Sequence, residues 1–259
     1  MLLADRIKGG AKKIAIQPCG AESGDPLWEH VVLLLHGNGV HGSTSLVDYS
    51  PEEHMITAGN GVYISEDRSK TCGSSLYNPH TLDAQWQITE PDVSNKFNLT
   101  GVDATLEFYV NLYKTADANC KLFSLQDDTN TNGWNDDDGL YYFVLIGTDS
   151  VLTLYYKSGA WTSRPIALGA LSLDTWHHVA IVTELGGAIR LYLDGALTTS
   201  ANGVSQKPGT RNAFSIAGDR IGAPYLSGNA YLDEIRFTKA VRYTSAFTPG
   251  PLPYPNGGV

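Results

Sequence analysis

Polar and apolar residues alternate with a period of two through much of this chain, and no stretch sustains the 3.6-residue period of an amphipathic helix. Within residues 104–110, Leu106, Phe108 and Val110 stand opposite Thr105, Glu107 and Tyr109, the pattern of a strand with one face in a core. Ile189, Leu191 and Leu193 oppose Arg190, Tyr192 and Asp194 in the same way. Residues 179–182 are apolar at every position, which predicts a strand near the middle of a sandwich, covered on both faces. Glu184-Leu185-Gly186-Gly187-Ala188 supplies a hairpin turn between these runs, with two glycines able to take positive φ. Asp194-Gly195 then reverses the chain into residues 196–199.

Further strands are expected at 31–36, 55–57, 62–64, 75–77, 86–88, 121–125, 140–146, 151–156, 165–168, 214–217 and 231–237, with one more possible at 11–17. Turn residues separate them, so the chain reads as an all-β sandwich or barrel. Trp176 opens a strand and is expected to plug one end of the core. His177 and His178 are neighbours on that strand and point to opposite faces, so they cannot chelate together. The organisation expected is an arm over residues 1–29, a sandwich over 30–255 and a tail over 256–259.

Charge sharpens this division. The protein carries a net charge of −9, yet Arg6, Lys8, Lys12 and Lys13 make the first segment basic. That segment reads as an anchor docking on a partner subunit; the competing reading is a frayed terminus. The acidic balance argues against nucleic acid, which needs a basic stripe. Residues 31–35, the longest apolar run, are too few to span a membrane. Cys19, Cys72 and Cys120 are odd in number and widely spaced, which favours buried or unbridged thiols made in a reducing compartment. No signal-peptide core follows Met1, so folding in a cytoplasm is expected.

Candidate chemistry is sparse. Gly37-Asn38-Gly39-Val40-His41-Gly42 spells a dinucleotide fingerprint, but no helix follows to meet a pyrophosphate. From Asp128 the sequence matches the calcium-loop spacing through Asn130 and Asn132, with Asp136 and Asp138 later in the loop. Oxygen ligands on alternate residues would wrap one Ca2+. The competing reading is a solvated acidic loop, since Gly139 stands where the bidentate Glu belongs. Trp134 and Trp161 lie in or near loops, placed to stack on a sugar ring or to be partly buried beneath those loops. Asp233, Glu234 and Arg236 are expected to tie the last strand to the loop after it by ion pairing.

Several segments resemble the concanavalin A-like jelly roll in its laminin-G-like branch. They are Leu33-Leu34-Leu35-His36-Gly37, Ser74-Ser75-Leu76-Tyr77, residues 104–110, Trp176-His177-His178-Val179-Ala180, Leu191-Tyr192-Leu193-Asp194-Gly195 and residues 231–239. The close, residues 240–249 with Arg242-Tyr243-Thr244 and Phe247-Thr248-Pro249, is similar to copies of this fold in tailed-phage virion proteins. The resemblance implies an antiparallel jelly-roll β-sandwich on a virion surface, on capsid or tail. It implies other virion proteins as partners, homo-oligomers on the particle, and no enzymatic activity. The alternative it leaves open is a lectin-like module binding a cell-surface glycan for host attachment. Glycanases of this fold carry carboxylates on alternate residues of one strand. Here Glu52-Glu53 and Asp233-Glu234 are adjacent pairs that would face apart if extended, so a glycanase is the weakest reading.

Overall fold

The computed structural model describes residues 24–79, 81, 84–90, 94–99, 102–115, 120–126, 140–146, 148–158, 162–201, 213–217 and 229–259. The strands in chain order are β1 (Val31–Leu35), β2 (Thr57–Ala58), β3 (Tyr63–Ser65), β4 (Ser75–Asn78), β5 (Trp86–Thr89), β6 (Ala104–Leu112), β7 (Cys120–Gln126) and β8 (Leu140–Ile146). They continue as β9 (Val151–Ser158), β10 (Thr162–Ala170), β11 (Trp176–Thr183), β12 (Ile189–Leu193), β13 (Ala196–Ala201), β14 (Ala213–Ile216) and β15 (Ala230–Thr238). One sheet runs β13-β12-β11-β6-β15-β4-β3, with β1 also on β15, and the other runs β10-β9-β8-β7-β14-β5-β2. The chain is an antiparallel jelly-roll sandwich, as its alternation implies.

The hairpin forms as expected: Val179 pairs with Leu193 and Thr183 with Ile189. Gly186 and Gly187 take φ of 101° and 93° in its turn. Asp194 and Gly195 follow at φ of 50° and 80°, the left-handed pair of a two-residue turn that lets the strands twist correctly. A side chain on Gly195 would run into the Phe247 carbonyl, so this position needs glycine twice over.

The two inner faces meet over Leu106, Phe108 and Val110 of β6, Val179 and Ile181 of β11, Phe237 of β15, and Trp86, Phe123, Leu154 and Phe214 of the opposite sheet. Among the described residues, a 3-10 turn at Trp28–His30 and one α-helical turn, α1 (Ser94–Phe97), interrupt the all-β pattern. The α1 turn inserts Phe97 into the core, stacked 4.3 Å from Phe214 and edge-on to Phe237 at 5.4 Å.

What the alternation did not predict is that β6 and β15 are buried on both faces along their whole length. The outer face of their sheet is covered by the chain after β15 and by the segment before β1. Val241, Tyr243 and Phe247 pack on Ala180, Val182 and Tyr192. Tyr254 joins Val31, Leu34 and Tyr109 in a second apolar cluster. Trp176 packs against that cluster, outside the main core, so its expected place as an end plug is corrected: its register opposite Asn111 puts the ring on the outer face. The thiol expectation divides. Cys120 keeps a buried thiol, but Cys72 is disulfide-bonded, a pairing made by the fold that spacing could not foretell.

Candidate functional site

Under this cover lies a network of buried charge. Glu107, on the outer face of β6, is directly opposite Arg236 of β15 and Ala180 of β11. Its Oε1 accepts from Arg236 Nε at 2.9 Å and Nη2 at 2.8 Å. Its Oε2 accepts from the Tyr243 hydroxyl at 2.8 Å and the Tyr254 hydroxyl at 3.2 Å, with His178 Nε2 at 3.3 Å. Arg236 and Arg242 both reach Asp25, at 2.9 and 2.7 Å, and the Arg236 guanidinium lies 3.9 Å from the Tyr254 ring centroid. Desolvation alone would raise the Glu107 pKa, but the Arg236 charge, the His178 hydrogen bond and the Arg242 charge outweigh it and hold it well below the usual carboxylate range. Burial, and then the carboxylates of Glu107, Glu234 and Asp194, pushes Tyr109 up to about 12. Side chains from the segments before β1 and after β15 are thereby clamped onto the middle of the sheet.

A bulge lies beside the clamp. Between Asp233 and Arg236, β15 advances three residues while β6 advances two, and Glu234 sits at φ 50°. β15 changes partner there, from β4 at residues 230–232 to β1 from Ile235 on. The pair Asp233-Glu234 is therefore not extended, so the condition under which its members would face apart is not met. Asp233 accepts backbone N–H groups of Lys70, Thr71 and Glu234 at 2.7, 3.1 and 2.9 Å. Glu234 Oε1 is 2.9 Å from His36 Nδ1, and its Oε2 accepts the Tyr254 N–H at 2.8 Å. Burial, then the Glu234 charge, pushes the Asp233 carboxyl well up against the pull of those three N–H donors. The expected ionic tie of the last strand is real for Arg236, but it runs to β6 and Asp25 rather than to the loop that follows.

His177 and His178 do part company. His177 Nδ1 is 2.8 Å from Asp194 Oδ2, and its Nε2 is 2.8 Å from Ser172 Oγ. The Ser172 backbone N–H also donates to that Nε2, at 3.2 Å. Nε2 is thus an acceptor, and Nδ1 carries the proton given to Asp194. Hydroxyl, imidazole and carboxylate form the chain known from serine hydrolases. Asp194 Oδ1 also accepts the His178 N–H at 2.8 Å, which ties the chain to the turn after β12.

On the same outer face, Tyr63 of β3 is opposite Tyr77 of β4, and Tyr77 opposite Tyr231 of β15. Their ring centroids are 4.8 and 5.3 Å apart in sequence across the strands. Tyr113, just past β6, stacks 5.7 Å from Tyr77 and stands edge-on to Tyr231 at 5.5 Å. Tyr63, Tyr77 and Tyr113 are half-buried, whereas Tyr231 is buried among them and Tyr109, further along the face, is sealed by the tail. The sequence reading assigned none of Tyr63, Tyr77, Tyr113 and Tyr231 to a site. Each flanks a core or strand-end position, which could have placed it on an outer face, but only the topology aligns them.

Every candidate site residue named from the sequence, Asp128, Asn130, Asn132, Trp134, Asp136, Asp138, Trp161, Arg6, Lys8, Lys12 and Lys13, lies outside the described residues. Among the described residues no group of three or more His, Cys, Asp or Glu is placed to hold a metal ion. No helix among them is long and apolar enough to cross a membrane.

A family model described as the concanavalin A-like lectin/glucanases superfamily matches residues 87–244. No curated protein matches the sequence. Among solved structures, the receptor-binding domain of botulinum neurotoxin type G is similar at TM-score 0.58 and 11% identity, over 83% of this chain and 49% of that one. The binding domain of botulinum neurotoxin serotype D gives TM-score 0.59 and 11% identity, over 84% and 50%. The binding domain of botulinum neurotoxin DC, solved in complex with rat synaptotagmin II, gives TM-score 0.58 and 11% identity, again over 84% and 50%. The chain spans about half the length of these structures, and at this identity the likeness is one of fold.

Proposed function

The chain belongs to the concanavalin A-like lectin/glucanases superfamily, and we propose that within it the chain is a non-enzymatic adhesion-type sandwich displayed on the surface of a tailed-phage particle, on capsid or tail. The observation that carries this reading is where the ionisable groups sit. Glu107, His178, Arg236, Arg242 and Asp25 are turned into a closed clamp beneath the tail, where they pair with one another. Such a clamp suits a robust display scaffold, because it fastens the segments before β1 and after β15 to one sheet. Support for adhesion also comes from the similar solved structures, which are named as a receptor-binding domain and a binding domain.

In this reading the protein is made in the host cytoplasm, and the basic segment with Arg6, Lys8, Lys12 and Lys13 anchors it to other virion proteins, in many copies. A chain truncated to begin at Pro18, which removes Arg6, Lys8, Lys12 and Lys13 but retains all three cysteines and the clamped Asp25, is expected to fold and to fail to join particles. The assay is antibody labelling of purified particles viewed by electron microscopy. Full-length protein missing from such particles would overturn the proposal. The second reading, a host-attachment module that binds a surface glycan or receptor, is favoured by Tyr63, Tyr77 and Tyr113, half-buried on the outer face. Under it, the truncated chain still binds cells.

A further inference from the structure

We propose that the disulfide at Cys72 is a redox-timed lock, an open pair of thiols while the chain is in a reducing cytoplasm and closed once the particle has left it. The timing rests on the display reading above; the lock itself does not.

The cysteines differ in what can reach them. Cys120, on β7, is fully buried and keeps its thiol. It is thereby shut off from oxidants and from thiol exchange, both of which need an accessible thiolate. Cys72, in the connection between β3 and β4, is exposed and disulfide-bonded. With Cys120 set aside, the sequence leaves Cys19 as its partner, a residue outside the described ones. The bond thus joins this connection to the segment that carries Arg6, Lys8, Lys12 and Lys13.

The Cys72 end is held in place by contacts that need no disulfide. The N–H groups of Lys70 and Thr71 donate to Asp233 Oδ2 at 2.7 and 3.1 Å. Ser75 Oγ donates to the Arg68 carbonyl at 2.6 Å, and Ser74 Oγ to the Gly37 carbonyl at 3.2 Å. Cys72 stands between these ties at φ 59°. The reduced chain therefore still presents this thiol at the surface.

An exposed disulfide is open to attack by thiols from solvent, and the thiol pools of a cytoplasm keep such pairs reduced. Closure needs an oxidant, for which a small disulfide such as oxidised glutathione suffices. One protein thiolate attacks a glutathione sulfur and expels a glutathione thiolate. The second protein thiolate then attacks the protein sulfur of that mixed disulfide and expels the other. Two protein thiols are oxidised, one glutathione disulfide becomes two thiols, and the two thiol protons pass to glutathione.

The test takes full-length protein from purified particles, from the cytoplasm of intact producing cells, and as purified recombinant protein oxidised with glutathione disulfide. Each is alkylated at once and mapped by non-reducing peptide mass spectrometry. Particle and oxidised recombinant protein are expected to give a linked Cys19–Cys72 peptide, and cytoplasmic protein to give both cysteines alkylated. Dithiothreitol is expected to open the bond without denaturant and to lower the melting temperature by at least about 4 °C. Cys72→Ser should melt at that lower temperature with or without reductant.

An alkylated Cys72 in the oxidised recombinant protein, or a bond that resists dithiothreitol until the protein is denatured, would overturn the lock. A linked peptide already present in intact cells would overturn the timing. Protein absent from particles would overturn the display reading and the timing with it, while the linked recombinant peptide would still uphold the lock.

Discussion

Removing the charge of Glu107 is the most direct test of how the outer face is held shut. Glu107→Gln keeps the size and one acceptor oxygen but withdraws the anion that faces Arg236, Arg242 and His178. Breaking a buried ion pair from one side costs about 3–5 kcal/mol, since the abandoned charge stays desolvated. Asp25 still serves both arginines, so the lower end, about 3 kcal/mol, is expected. Against a typical total of about 5–15 kcal/mol that is a large fraction. The assay is urea unfolding, where a slope of about 3 kcal/mol/M would move the midpoint down by about 1 M. The sign with pH follows from the depressed Glu107 pKa. Its contribution is present above the unfolded-state value of about 4.3 and is lost as pH falls toward the lower folded-state value, so the difference between wild type and Glu107→Gln should shrink below about pH 4. A double-mutant cycle with Arg236→Met should return a coupling of about 1–3 kcal/mol. A loss below about 1 kcal/mol at pH 7, or the same loss at pH 3, would refute the argument that this ion network closes the face.

Three further outcomes are expected. Gly195→Ala meets both a left-handed φ and the Phe247 carbonyl, so it should cost about 2–4 kcal/mol and lower the melting temperature by at least about 4 °C; an unchanged melt would mean that the turn and tail relax freely. Phe97→Ala empties the ring that stacks on Phe214 and should cost about 3–5 kcal/mol in denaturant unfolding, with a cost under about 1 kcal/mol contradicting its place in the core. Ser172 should resist a fluorophosphonate probe, and Asp194→Ala should act on stability alone, by about 1–2 kcal/mol, as befits a turn-closing bond; stoichiometric labelling of Ser172 that disappears in Asp194→Ala would instead make it a nucleophile.

The sequence by itself determined the strands and their inner faces. Leu106, Phe108 and Val110 point into the core as their alternation requires, because side-chain direction along a strand is a local property. The hairpin turn and the Asp194-Gly195 reversal were legible for the same reason: two consecutive positive φ values select residue types locally. The expected calcium, sugar and anchor residues lie outside the described residues and are left to experiment. Only the tertiary structure decided what the outer face does. Glu107 reads in sequence as one polar residue of a half-exposed strand, yet it is fully buried, because Arg236, 129 residues on, and the tail close over it. Tyr63, Tyr77 and Tyr231 are likewise scattered along the chain and meet only through strand order and register. Alternation tells which residues share a face of one strand; which strands lie side by side, and which segment covers them, depends on contacts between distant parts of the chain.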